Sequence, residues 1–102
     1  MAKDEAILKY LTGVIDPEVG LDVVSMGLVY NAEDKDGDIV VEMTMTSPAC
    51  PMGNMIQGQA RSALRSAFPQ AKSVSVLLVW DPPWSPAMMT VEARNKLGLG
   101  VD

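Results

Sequence analysis

The sequence predicts an α/β domain whose elements run helix–strand–strand–helix–strand and finish in a short C-terminal helix. Three observations carry this order. Asp38 to Thr46 alternates, with Ile39, Val41, Met43 and Met45 on one side and Glu42, Thr44 and Thr46 on the other. That period of two marks a half-buried strand. Just downstream, Met52, Met55, Ile56, Ala60, Ala63, Leu64 and Ala67 recur at helical spacing. Ser73 to Trp80 is a β-branched and apolar run that ends at a proline cluster.

The elements follow in order. Asp4 to Thr12 reads as the first helix, with Ile7, Leu8, Leu11, Val14 and Ile15 on one face and acidic residues at its start. Asp16-Pro17-Glu18 breaks the pattern, because a residue before proline avoids helical geometry. Seen alone it reads as a solvated turn; a sharper reading brings its two carboxylates to a site. Val19 to Gly27 is a connection packed by its own apolar residues, and Leu28 to Ala32 a strand. Glu33 to Asp38 is a hairpin turn around the favoured pair Asp36-Gly37. The strand from Asp38 leads to the helix of Pro51 to Ala67, which presents Gln57, Gly58, Arg61, Ser62 and Arg65 to solvent or a partner. Phe68-Pro69 stops it. The Ser73–Trp80 strand, apolar on both sides towards its end, is expected to be central or covered on both faces. Asp81-Pro82-Pro83-Trp84-Ser85-Pro86 cannot continue a sheet and reads as a packed corner. Thr90 caps a last helix that Gly98 ends.

Composition narrows the function. The chain has 102 residues, 48% of them hydrophobic, which suits one domain over 1–102 with a single core. Its net charge of −5 and lack of a basic stripe argue against nucleic-acid binding. There is no histidine, so the usual base for a cysteine or serine nucleophile is missing. A turnover enzyme is the weaker expectation for that reason. No stretch is long and apolar enough for a signal core or a membrane span, and a cytoplasmic location is expected. The eight methionines mostly match core positions and read as core filling rather than a soft-metal cage.

The single cysteine, Cys50, falls in the loop where the strand hands over to the second helix. Pro51 suits a first helical position, which sets Cys50 at or beside the N-cap. Unpaired N–H groups and the helix dipole favour a thiolate there. The plain alternative is a buried cysteine acting as a small hydrophobe. Pro48, Pro51, Thr46 and Ser47 favour a shaped loop over a packed interior.

Four segments, taken together, resemble the iron–sulfur cluster assembly domain family, the metal–sulfur cluster biosynthetic proteins. They are Asp16-Pro17-Glu18; Met26-Gly27-Leu28-Val29-Tyr30; Met43 to Pro51; and Trp80-Asp81-Pro82-Pro83-Trp84-Ser85-Pro86 through Ala93-Arg94 to Leu97-Gly98. The stand-alone SufT-like members are the nearer match, since the chain lacks the cysteine-rich C-terminal segment of PaaD-like ones. The resemblance implies an α+β two-layer domain with a small mixed sheet. It also implies a pocket made of Asp16, Glu18, Thr46, Ser47 and Cys50. Many relatives carry Asp where this chain has Ser25.

A cluster usually needs four ligands, mostly thiolates, and this chain offers one. Two arrangements follow: a homodimer sharing iron or an iron–sulfur cluster between two Cys50 thiolates, or a transfer complex whose other ligands come from a carrier or client. The expected function is therefore iron–sulfur cluster assembly, delivering cluster or iron through Cys50. Asp16 and Glu18 would serve as further ligands or proton acceptors, and Thr46 and Ser47 would orient the loop. The expected partners are iron–sulfur assembly proteins and client apoproteins. The alternative is a non-catalytic adaptor that binds clients and never touches metal.

Overall fold

A three-stranded mixed sheet carries the domain in the computed structural model, which describes residues 4–17, 20–45, 53–96 and 98. In chain order the elements are α1 (Glu5–Leu11), β1 (Ile15–Asp16), β2 (Leu21–Asp22), β3 (Val29–Lys35), β4 (Asp38–Met43), α2 (Gly53–Ala67), β5 (Ser73–Leu78), a 3₁₀ turn (Pro86–Met88) and α3 (Val91–Lys96). The sheet order is β3-β4-β5, with β3 antiparallel and β5 parallel to β4. β1 and β2 form a separate small antiparallel hairpin. The helix–strand–strand–helix–strand frame and the mixed sheet are therefore present.

Local chemistry accounts for the elements. The Asp4 side chain accepts from the Ala6 N–H at 2.9 Å and caps α1. The Asp4 N–H donates to the Ala32 carbonyl at 2.8 Å, fastening the start of the helix to β3. Asp36 and Gly37 both have positive φ, as the tight hairpin turn between right-twisted strands demands. The strands run further into this turn than the sequence suggests, since β3 reaches Lys35. Thr90 caps α3 through a 3.1 Å bond from the Ala93 N–H.

The two layers meet over one core. Ile7 and Leu11 of α1 and Ile56, Ala60 and Leu64 of α2 cover Ala32, Ile39, Val41, Met43, Val74 and Val76 of the sheet. Tyr10 and Phe68 meet edge to face, ring centres 5.3 Å apart, where α1 passes the end of α2.

Several expectations need correction. Ile15 does not extend the apolar face of α1; it belongs to β1 and is 44% exposed. Thr44 is buried rather than on the solvent side. Met55 and Met88 are exposed, while Met26, Met43, Met45 and Met89 are in the core. β5 is not central among the described residues: it is an edge strand, and Leu77 is 47% exposed. No helix of the described residues is long and apolar enough to cross a membrane.

Candidate functional site

The described residues on either side of the Cys50 segment are held by specific contacts. β4 ends at Met43, whose carbonyl accepts the Val79 N–H at 2.8 Å. The buried Thr44 then donates its N–H to the Leu28 carbonyl at 2.8 Å. Met45, also buried, lays its side chain on the backbone at the start of α2: a Cβ on Gly53 would stand 3.3 Å from Met45 Cγ and 3.8 Å from Leu78 Cδ1. The absence of a side chain at Gly53 is what permits this seat. Met45 and Gly53, the described residues on either side of 46–52, are thereby packed together where the chain passes from β4 towards α2. Thr46, Ser47 and Cys50 themselves lie outside the described residues, as does Glu18.

Asp16 is the one pocket candidate that the structure describes. It pairs with Leu21 across the β1–β2 hairpin, and Ile15 pairs with Asp22. Directly opposed residues of an antiparallel pair point to the same side. Asp16 thus shares the inward side with Leu21, and it is only 4% exposed. The solvated-turn reading fails for Asp16. A carboxylate is held at that depth only with a polar partner, and Asp16 is not without one. The Asp16 carbonyl accepts the Gly20 N–H at 2.8 Å, which closes the hairpin's turn.

A run of backbone bonds joins this hairpin to the root of the cysteine loop. The Val23 N–H donates to Val14, the Leu28 N–H to Val23, and the Thr44 N–H to Leu28, at 3.0, 3.0 and 2.8 Å. The hairpin bearing Asp16 and the strand end two residues before Thr46 are thus held by one ladder. Asp22 stiffens the corner, its Oδ2 accepting the Ser25 N–H at 2.9 Å. Ser25, in turn, gives its carbonyl to the Thr90 N–H at 3.0 Å. Among the described residues, no three Asp, Glu, Cys or His side chains come together.

Sequence reasoning missed how the Met26–Tyr30 segment and the proline-rich corner use each other. A bulge shifts the β3–β4 register between Val29 and Asn31. Bulges re-aim side chains, and here Val29 and Tyr30 are buried in succession. The Tyr30 hydroxyl donates to the Pro82 carbonyl at 2.9 Å and lies 3.4 Å from Met88 Sδ. Trp84 donates its indole N–H to the Met26 carbonyl at 2.7 Å. Gly27 has a φ of 74°, and a Cβ there would collide with the Met88 backbone. Residues 81–89 are therefore a strap laid across the Met26–Tyr30 corner. Trp84 is its anchor, whereas Trp80 is exposed.

Burial first, and the Asp81 carboxylate second, push the Tyr30 phenol above its usual value of 10.0. The folded protein holds the phenolic proton more tightly than the unfolded chain does. That contribution to stability is complete below the unfolded value and is lost as pH rises through the folded one. Tyr30→Phe should cost about 1 kcal/mol at neutral pH through the lost hydrogen bond. It should also remove this part of the alkaline loss of stability. Urea unfolding at about pH 7 and about pH 11 checks both.

Comparison with known proteins supplies a frame for these features. The family model described as "Iron-sulfur cluster assembly protein" matches residues 4–78. The chain is 44% identical over 87 residues to the Fe-S protein maturation auxiliary factor SufT of Staphylococcus aureus, covering 84% of this chain and 98% of that one. It is 39% identical over 99 residues to the Fe-S protein maturation auxiliary factor YitW of Bacillus subtilis, covering 96% of each. The crystal structure of a domain of unknown function, DUF59, from Bacillus anthracis superposes with a TM-score of 0.88 at 37% identity, covering 94% of this chain and 92% of that one.

Proposed function

The chain belongs to the iron–sulfur cluster assembly protein family, and from that premise we propose that it is an auxiliary factor in the maturation of iron–sulfur proteins, acting through Cys50. The observation that carries this reading is similarity along the whole length of two maturation auxiliary factors, 98% of one and 96% of the other. The position of Cys50 in the sequence, three residues before α2 begins at Gly53, supports its role in this reading, because a thiolate is favoured near a helix N-terminus.

Iron or an iron–sulfur cluster is cargo in this reading. Cys50 loses its thiol proton to Glu18, to Asp16 or to water. The thiolate then forms an iron–sulfur bond as a donor ligand or solvent leaves. On delivery a client thiolate takes the place of the Cys50 sulfur, and Cys50 regains a proton. No electron changes hands in either exchange. In this reading Thr46 and Ser47 orient the Cys50 segment while this happens. One thiolate per chain makes a poor permanent holder, so the remaining ligands come from a second copy, a carrier or the client. Weak holding suits a delivery role.

Anaerobic reconstitution with ferrous iron and sulfide tests the proposal. The protein should acquire charge-transfer absorption in the visible range, and Cys50→Ser should reduce it at least about tenfold. If the native chain stays colourless while Cys50→Ser still binds client apoproteins, the metal-free adaptor replaces this reading.

A further inference from the structure

We infer that the outer edge of β5 is a strand-addition site for an extended, acidic peptide segment of a partner protein. Val79 and Ser73 direct their N–H groups towards β4 and the turn before it, to the carbonyls of Met43 and Gly37. The N–H and C=O of one strand residue point the same way, and successive residues alternate. Val74, Val76 and Leu78 therefore turn their backbone groups to the opposite side. Among the described residues no strand lies there. The Val76 carbonyl is instead met by the side-chain amide of Gln57 from α2. An incoming strand would displace that amide and give its own backbone N–H to Val76. Side chains alternate from its backbone into the groove of about 510 Å³ between α2 and β5, which Asn54, Gly58 and Arg61 line. Gly58 leaves this wall open, since nothing lies within 4 Å of where its Cβ would be.

Charge selects the occupant. The protein carries a net −5, yet from Gly53 to Trp80 it has Arg61, Arg65 and Lys72 and no Asp or Glu. Arg61 and Arg65 are exposed one helical turn apart on α2. The ion pair Lys35–Glu33 sits on β3, at the other edge of the sheet. An extended segment that places carboxylates along α2 gains backbone pairing from β5 and charge pairing from these arginines. A second copy joined edge to edge through β5 would bring like charges together instead.

The test uses the whole ¹⁵N-labelled protein and a synthetic peptide of about ten residues alternating valine and glutamate. A lysine-for-glutamate version is the control. The acidic peptide should shift the amides of Val74, Val76 and Leu78 and the side-chain amide of Gln57. Arg61→Glu should weaken binding about tenfold, and raised salt should weaken it further. The lysine peptide should leave the spectrum unchanged. Shifts confined to β3, equal affinity for the lysine peptide, no shifts at all, or concentration-dependent self-association through β5 would each overturn the inference.

Discussion

Gly27→Ala is expected to destabilise the domain by about 3 kcal/mol, a loss of more than about 10 °C in melting temperature. Two costs add. A residue with a Cβ is disfavoured by about 1–2 kcal/mol at the left-handed φ of 74° that Gly27 adopts. The new methyl would also lie 2.6 Å from the Met88 carbonyl carbon and 2.9 Å from Met88 Cβ. The first of these is backbone and cannot swing away. The strap must lift, and its bonds to Tyr30 and Met26 are strained with it. Gly58→Ala is the matched contrast. It sits inside α2 with no neighbour in reach, and it should stabilise by about 0.5–1 kcal/mol through helix propensity. Thermal melts of the two variants beside the native chain decide the matter. Similar melting temperatures for both would show that the strap does not bear on Gly27.

Cys50→Ser is expected to remove the biological activity while leaving the melting temperature within a few degrees, about the span of a surface substitution. In cells that depend on this protein, client iron–sulfur enzymes should fall to the activity seen without it. Serine keeps the size of the side chain and gives up the soft ligand, so the loss would report on sulfur rather than shape. Asp16→Asn should give a smaller loss, because the proposed mechanism gives Asp16 only an assisting part. Client activity equal to the native level in the Cys50→Ser cells would take Cys50 out of the mechanism, and the family assignment would remain.

Whatever is written in local periodicity was legible in the sequence. The apolar spacing of α2, the alternation of β4, the Asp36-Gly37 turn and the Thr90 cap all depend on neighbours a few positions away, and all are present. The features that escaped depend on distant partners. Ser73 to Leu78 has the apolar content of a covered strand, but its place at the sheet edge follows from which strands pair. Thr44 is polar by type and buried by position, because Leu28 crosses its backbone. The β1–β2 hairpin is two residues long on each side, too short to leave a periodic trace. Of the pocket candidates, the burial of Asp16 could not be read from Asp-Pro-Glu alone. It follows from Leu21 opposite, which faces inward. Tyr30 and Trp84 looked like ordinary strand and corner aromatics until the bulge and the strap brought them to their acceptors.

The strap has a consequence for synthesis. Trp84 and Met26 are 58 positions apart, as are Met88 and Tyr30. A nascent chain leaving the ribosome exposes the Met26–Tyr30 corner long before its cover exists. At about 5–20 residues per second that interval lasts several seconds. The growing polypeptide spends them with an apolar notch open, and the corner can close only once the last fifth of the chain has emerged.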